Sequence, residues 1–456
     1  MKPVLTAEEY RRVDKAWEGD LSFAMEKAGH AVSLAAARNG ARYGKRVVVL
    51  AGPGNNGGDG YVAARLLKVR GVFVEIHALG DPKTEVASLA AESAARAGIS
   101  INTLGPPDPD ADLVIDALFG GGVRGGLPRA VLAWMDTKSP VVAVDFPTGL
   151  DPDTGKVAEK AFQAVETVTF TAIKTGHVMG RGPEQCGEVT VADIGIEGGD
   201  PSLFIAEEAD APRPPRRRTT HKWDAGAVLV VGGSTGMVGA SVFAGKSALA
   251  FGAGSVNVAT RRPDLVQQIA PELPAYQMSD AEARLDRFDV VIAGPGLAED
   301  DADAARPLIA KAERVLLDAG ALTPELLVDA TEGGGEVIVT PHGGEFAKLT
   351  GYGGGSYAIR ALARKHGITV LLKGNPTQVS DGGVPVMVTT GGPELASIGT
   401  GDVLAGMIGA LWARGLGATT AAVAGAYWHG VAASDLSSRT AVTADRLTNE
   451  IGRYAW

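Results

Sequence analysis

The sequence predicts an α/β protein made of two parallel-sheet units, and three observations carry that reading. Short β-branched runs alternate with segments of helical period along most of the chain, the pattern that builds parallel sheets covered by helices. At 456 residues the chain exceeds what one ordinary core organises, so two units are expected. The alternation breaks once, in EEADAPRPPRRRTTH from Glu207 to His221, where prolines and arginines replace all periodicity. The expected domains are residues 1–208 and 221–456, joined by a Pro/Arg-rich linker at 209–220.

In the N-terminal half, RVVVLAG (Arg46 to Gly52) is a buried strand and YVAARLLKVRG (Tyr61 to Gly71) a helix. VFVEIHAL gives the next strand, an alanine-rich stretch from Thr84 to Gly98 the next helix, and DLVIDALFG, PVVAVDFPTGL and TVTFTA close the series. This order implies a Rossmann-like, doubly wound sheet with ligands at the C-terminal strand ends. In the C-terminal half AVLVVGGS opens a second series, followed by a helix through Ala240 to Gly252 and the strand SVNVAT. FDVVIAGPGL, RVLLDAGAL, EVIVTPHGGEF and ITVLLKGNPTQVS each carry an apolar strand into a polar or glycine loop, so their ends form one rim. Two long helices, from Val403 and from Thr420, are expected to cover a sheet face.

A formal charge of −10 argues against general nucleic-acid binding, which depends on clustered Lys and Arg. Arg216 to Arg218 read as solvated linker charges. The single cysteine, Cys186, excludes an internal disulfide framework and any multi-cysteine metal site, and points to a reducing cytoplasm. MKPVLTAEEYRRVD turns polar too early for a secretory signal, and the most apolar stretch, Ala421 to Ala433, is interrupted by His429. No membrane partner is expected.

The N-terminal motif AGPGNNGGDG, Ala51 to Gly60, follows a strand and opens a helix. Gly52, Gly54 and Gly57 satisfy GxGxxG, but Glu75 lies inside the next strand and not at its end, unlike a dinucleotide fingerprint. Asn55, Asn56 and Asp59 add side-chain oxygens and amides that suit a polar ligand or a hard cation, although an Asn/Gly turn has the same composition. Oxygens of Asn56, Asp116 and Thr148 could hold a monovalent or divalent cation, and the all-oxygen set points away from zinc. Asp145, at a strand end near that cation, could move a proton; singly, each aspartate also fits a turn or cap.

In the C-terminal half, GTGDVLAGMIGALWARG (Gly399 to Gly415) sets a glycine turn and an aspartate before a long apolar helix. Free N–H groups of a helix's first turn attract phosphate, so Asp402 would stand beside a transferable phosphoryl group and suits a base. Its ordinary alternative is an N-cap. His342 in the strand-end loop TPHGGE is either a ligand residue or a turn histidine, Glu345 either a Mg²⁺ helper through water or a helix cap, and Lys373 either a residue lining a nucleotide or a snorkelling strand-end lysine.

MEKAG (Met25 to Gly29), GPGNNGGDG, DALFG, DFPTGLD and TFTAIKTGHVMGRGPEQCGEVTVADIGI together resemble the NAD(P)H-hydrate epimerase family over roughly residues 6–200. The resemblance implies exchange of the R and S epimers of hydrated NADH and NADPH (NADHX and NADPHX), with K⁺ on Asn56, Asp116 and Thr148, where many relatives have serine at the last position. It places the hydrated nucleotide on Asn55, Asn56, Gly57, Gly58, Asp59, on Gly120, Gly121, Gly122, Val123, Arg124, Gly125, Gly126, and on Asp145, which is also its catalytic residue. GGS (Gly232 to Ser234), AGPGL, TPHGGEF, KGNPTQV and GTGD follow in an order that resembles the ADP/ATP-dependent NAD(P)H-hydrate dehydratases over roughly His221 to Ile451. That resemblance implies a ribokinase-like α/β fold and Mg²⁺ with ADP or ATP. Lys373, Gly374, Asn375, Pro376, Thr377 and Gly401 would line the nucleotide, Ala244, Gly296, His342 and Asp402 would contact the hydrated cofactor, and Asp402 would be catalytic. Relatives often carry a second acid where Gly320 stands, beside the retained Asp318. Small-molecule substrates and a homo-oligomer are the expected partners. The alternative is a ribokinase-like kinase for a vitamin precursor, fused to a non-catalytic Rossmann-like binding module.

Overall fold

The computed structural model describes residues 1–121, 126–157, 159–216 and 225–456. Contacts divide the chain into two compact units, one holding Lys2–Ser202 and the other Leu203–Trp456.

In the N-terminal unit the strands are β1 (Lys2–Leu5), β2 (Arg46–Ala51), β3 (Phe73–Ala78), β4 (Ser100–Thr103), β5 (Leu113–Ala117), β6 (Val141–Val144), β7 (Glu166–Phe170), β8 (Ile173–Lys174) and β9 (Glu188–Ala192). Seven of them form a wholly parallel sheet in the order β4-β3-β2-β5-β6-β7-β9, while β1 pairs with β8. Strand β2 explains why both faces need helices. Val47, Val49 and Ala51 enter one hydrophobic cluster with the helix Leu21–Arg38, and Val48 and Leu50 enter a second with Trp134 and Phe162 on the other side. The order reverses between β2 and β5, and a crevice opens at the carboxyl ends there.

The helix after β2 runs Asn55–Val69, so it begins well before the Tyr61 expected from periodicity. Its first turns are glycine-rich, which sequence propensity counts against a helix. Tertiary packing overrides propensity: a Cβ on Gly57 would lie 1.9 Å from the Gly52 carbonyl oxygen, and one on Gly58 2.4 Å from the Met25 side chain.

The C-terminal unit adds β10 (Leu203–Ile205), β11 (Ala227–Val231), β12 (Ser255–Ala259), β13 (Ala275–Tyr276), β14 (Val290–Ala293), β15 (Arg314–Leu317), β16 (Glu336–Val339), β17 (Thr369–Leu372), β18 (Thr377–Ser380) and β19 (Val386–Val388). They are ordered β13-β12-β11-β14-β15-β16-β17-β18-β19-β10, parallel except at the β17-β18-β19 meander. Val228, Val230 and Ile292 pack under the helices Val238–Ala250, Thr400–Ala413 and Ala418–Ser437, while Leu229, Val231 and Val291 pack under the helices from Ala302 to His366. The two long C-terminal helices therefore cover one face, as their apolar composition implies.

The division between units falls at 202/203, ahead of the boundary at 208. The cause is β10, which pairs in parallel with β19, so Leu203–Ile205 belongs to the C-terminal sheet. Within the expected linker, Ala211 is buried in the C-terminal core and Arg213 lies 3.9 Å over the Trp428 ring. Residues 217–224 lie outside the described residues.

Candidate active sites

The N-terminal crevice is a cleft of about 550 Å³ whose lining includes Tyr10, Asn55, Asn56, Asp59, Gly120, Gly121, Asp145 and Lys174. Asp145 follows β6 directly, and its backbone sits at φ +63°, a strained conformation for a side chain of this type. Its Oδ1 accepts hydrogen bonds from Lys174 Nζ (2.8 Å) and Thr169 Oγ1 (2.8 Å). Burial favours the neutral acid, but the Lys174 ammonium and these hydrogen bonds outweigh it and hold the carboxyl below its ordinary range. Lys174 is fully buried, donates also to Thr169 Oγ1 and the Phe170 carbonyl, and lies 4.0 Å from the Tyr10 ring centroid. His177 clamps the arrangement from below. Its Nδ1 accepts from the Lys174 N–H, so its Nε2–H donates to the Asp145 carbonyl at 2.8 Å, and burial drops its pKa to about 4.

Asp59, in the same cleft, is pushed well above the usual carboxylate range by burial and by the charge on Asp145. Their environments therefore push the two acids in opposite directions, the arrangement that suits one to give a proton while the other takes one. Asp116 at the end of β5 is fully buried and accepts from Thr148 N (2.7 Å), Thr148 Oγ1 (2.8 Å) and Leu118 N (3.3 Å). Despite these bonds burial lifts it to about 6, since no ammonium or guanidinium pairs with it among the described residues. Nearby, Asn56 Nδ2 is buried without a hydrogen-bond partner among the described residues. A Cβ on Gly120 would lie 2.9 Å from Asn56 Oδ1 and 3.1 Å from Asp145 Oδ2, so both oxygens converge where Gly120 passes.

In the C-terminal unit, Gly399 takes φ +86° as the N-cap of helix Thr400–Ala413 with no side chain closing its first turn. Asp402 is the third helical residue, so the N-cap alternative is not realised: glycine holds the cap, and the carboxylate has no hydrogen-bond partner among the described residues. Burial, Asp318 and Glu345 push its pKa up to about 7, partly opposed by Lys373. Lys373 follows β17, and its Nζ binds Asp318 Oδ1 at 2.8 Å and approaches Glu345 Oε2 at 3.8 Å. A Cβ on Gly401 would sit 3.5 Å from that ammonium. Thr340 Oγ1 donates to the same Asp318 oxygen at 2.9 Å. Four strand and helix ends thus place three carboxylates around one lysine at the mouth of an open helix turn. Such a site can bind an anionic phosphoryl group through N–H donors and Lys373 while Asp402 accepts a proton.

A cavity of about 830 Å³ opens elsewhere in this unit, lined by Asp289, Glu313, Arg314 and the Lys311–Glu282 ion pair. It lies at the N-terminal ends of β14 and β15 and holds none of the motif residues.

Comparison with known proteins fits this geometry. A family model described as NAD(P)H-hydrate dehydratase matches residues 228–453, and one described as YjeF-related protein N-terminus matches residues 22–176. The chain is 35% identical to the bifunctional NAD(P)H-hydrate repair enzyme of Pyrobaculum aerophilum, covering 95% of this chain and 94% of the relative. The chain belongs to the bifunctional NAD(P)H-hydrate repair enzyme family. The namesakes in Escherichia coli (34%, 86% of this chain, 81% of that one) and Archaeoglobus fulgidus (37%, 85% and 83%) match similarly. Among solved structures, a hypothetical protein of Streptococcus mutans aligns with TM-score 0.51 at 27% identity over 55% of this chain and 98% of its own. The Bacillus subtilis ADP/ATP-dependent NAD(P)H-hydrate dehydratase co-crystallised with ATP/Mg²⁺ aligns at 28% identity and TM-score 0.49, over 56% and 97%.

Within this family member the expected site residues fall into distinct places. Asn55, Asn56, Asp59, Gly120, Gly121 and Asp145 line one cleft, with Asp116 buried beneath and tied to Thr148. Gly57 and Gly58 pack against Gly52 and Met25 and so face the protein. Gly126 is exposed, and Gly122, Val123, Arg124 and Gly125 lie outside the described residues. Asp402, Gly401 and Lys373 come together, Gly374, Asn375 and Pro376 lie in the β17-β18 turn that follows Lys373, and Thr377 opens β18 with its Oγ1 donating to the Gly374 carbonyl. His342 caps helix Gly343–Thr350, its Nδ1 accepting from Gly344 N at 2.9 Å, while Glu345 Oε2 accepts from His342 N at 2.8 Å. Nε2 of His342 stays exposed and turned toward Glu345 Oε1 at 3.5 Å. Gly296 is partly exposed beside Met237. Ala244 is fully buried, its carbonyl facing Gly406 of the neighbouring helix. Sequence reasoning passed over Lys174, Thr169, His177 and Tyr10. The signal for Lys174 was present in TFTAIKTGH, where a lysine ends an apolar strand.

Proposed function

We propose that this chain repairs hydrated nicotinamide cofactors, the N-terminal unit exchanging the epimers of NADHX and NADPHX and the C-terminal unit dehydrating the S epimer with ADP, or with ATP. The observation that carries the reading is Asp402, an unpartnered carboxylate poised near neutrality at an open helix turn. The substrate hydroxyl on C6 is a poor leaving group. Asp402 accepts its proton as the oxygen attacks the terminal phosphorus, and the N–H groups of Gly401 and Asp402, with Lys373, stabilise charge on the transferring group. Phosphate then leaves with the C6–O electrons, C5 gives up a proton, and the ring double bond returns. The acidic surplus of Asp318, Glu345 and Asp402 over Lys373 fits Mg²⁺ carried on the nucleotide, where the metal would neutralise phosphate charge. Lys373 to Thr377 would line the nucleotide.

In the N-terminal unit C6 is bonded to both ring nitrogen and hydroxyl oxygen, so opening either bond flattens the carbon and reclosure on the other face inverts it. Asp145, held ionised by Lys174, takes the proton and Asp59 returns one. Asn56, Asp116 and Thr148 fit K⁺: a buried carboxylate without a cation pair and neutral oxygens beside it suit a weakly charged ion, whose field would steady the anionic substrate. The single buried cysteine fits a reducing cytoplasm, and a homo-oligomer is part of the proposal. No helix among the described residues is long and apolar enough to cross a membrane. The test follows ultraviolet recovery of NADPH from a mixed-epimer hydrate with ADP and K⁺ supplied or withheld. Recovery requires ADP, and withholding K⁺ stalls it once the S fraction is spent; accumulation of a stable phosphorylated alcohol without NADPH favours the kinase reading.

A further inference from the structure

The N-terminal cleft is acidic where its chemistry is placed: Asp14, Asp59 and Asp145 all line it, in a chain of formal charge −10. A dinucleotide carries at least two phosphate charges, and cations that are not already paired are what would hold them. Lys174 cannot serve, because its N–H groups are already given to Asp145, Thr169 and the Phe170 carbonyl.

Two other cations line the same cleft, Arg11 on helix Ala7–Ala16 and Lys83 just before helix Glu85–Arg96. Both are exposed, and neither side chain has an ion pair, hydrogen bond or ring partner among the described residues. Their neighbours pair readily, as Arg12 does with Glu8 and Arg65 with Glu26. The backbones beneath them are fixed. Helix Ala7–Ala16 starts in a capping box between Thr6 and Glu9, and Ala7 N donates to Asp153 Oδ1 at 2.7 Å. Lys83 N donates to the Pro53 carbonyl at 2.8 Å, and the next residue, Thr84, donates its hydroxyl to Asn55 Oδ1 at 2.6 Å. That ties Lys83 to the N-terminus of helix Asn55–Val69, whose cap, Gly54, has no side chain to satisfy the first N–H groups. A lysine anchored through its backbone at an open helix N-terminus, with the Asn56 amide unpartnered among the described residues in the same cleft, suits a phosphate.

We propose that Arg11 and Lys83 bind the phosphates of the hydrated dinucleotide and orient it over the acidic floor, Lys83 at the helix terminus and Arg11 from the N-terminal helix. The inference rests on the N-terminal unit being the hydrate epimerase. The experiment uses the full chain and its Arg11→Gln, Lys83→Gln and double variants, measuring epimer exchange at two salt concentrations. Each single change raises KM roughly fivefold, the double change by roughly tenfold or more with kcat within about twofold, and the double variant loses most of the salt dependence of KM. Dehydration of the pure S epimer stays as in the parent protein. An unchanged KM in the double variant, or a fall in kcat at constant KM, overturns the proposal. Should the parent protein exchange no epimers, the epimerase reading falls by itself, and calorimetry with inorganic pyrophosphate decides the residual claim: weaker binding in the double variant supports phosphate recognition, equal binding overturns it.

Discussion

Replacing Asp402 by Asn is expected to stabilise the C-terminal unit while it abolishes turnover. The carboxyl is raised from 3.8 to about 7 by burial and by Asp318. That gap of about 3 units, at about 1.4 kcal/mol per unit, sets a ceiling near 4 kcal/mol, and partial solvent access reduces it to ~2 kcal/mol. The sign follows from linkage. A folded-state pKa above the unfolded one means that the group penalises folding more and more as pH rises from 3.8 to about 7, and fully above that. The amide variant, of nearly the same shape, is therefore ~2 kcal/mol more stable than the parent at pH ~8 and equal to it below pH ~4. Urea unfolding without nucleotide or divalent metal reads this directly, using fluorescence of Trp412 and Trp428, both in the C-terminal core. No stabilisation at the higher pH, or the same gain at both, would show that Asp402 does not carry an uncompensated charge.

The same titration governs rate: dehydratase kcat/KM falls about tenfold per pH unit below about 7 and is level just above, by NADPH absorbance, whereas an acid limb near the ordinary carboxylate range contradicts the assignment. Lys174→Met leaves Asp145 buried without its counter-charge, so the N-terminal unit loses about 3–5 kcal/mol in denaturant titration and epimer exchange disappears; adding Asp145→Asn restores most of the stability and none of the exchange. Gly401→Ala adds a Cβ at ordinary contact distance from Lys373 Nζ, so melting is unchanged, while crowding of the phosphate site raises the nucleotide KM, on the order of tenfold or more. An unaltered KM removes Gly401 from that site.

Much of this arrangement was legible because strands write themselves in period and composition. RVVVLA, LVIDA and AVLVV are buried on both faces, and their continuous apolar runs mark central parallel strands. The exposed edge strand β4, SINT, carries no such signal, and β18 was hidden by its hairpin with β17. The early start of helix Asn55–Val69 escaped because its glycines are chosen for close approach to Gly52 and Met25, a tertiary requirement that propensity cannot express. Asp116, Asp145 and Asp402 could be picked out because acids ending apolar strands or opening helices are chemically conspicuous. What holds the Asp145 carboxyl below its ordinary range was not legible: Lys174 reaches it from 29 positions along the chain, and only folding brings the two together. The burial of Ala244 was not legible for the converse reason, since a motif position fixes a residue's place along a helix but not which neighbour covers it.

The central claim is that Asp402 performs the dehydration and Asp145 supplies it with substrate. One progress curve tests both: NADPH recovered from a mixed-epimer hydrate in excess ADP, for the parent protein and the Asp402→Asn and Asp145→Asn variants. The account predicts full recovery for the parent, none above background for Asp402→Asn, and for Asp145→Asn a burst that ends when the S epimer is exhausted. Full recovery by Asp145→Asn at the parental rate, or measurable turnover by Asp402→Asn at more than about a hundredth of it, contradicts the account.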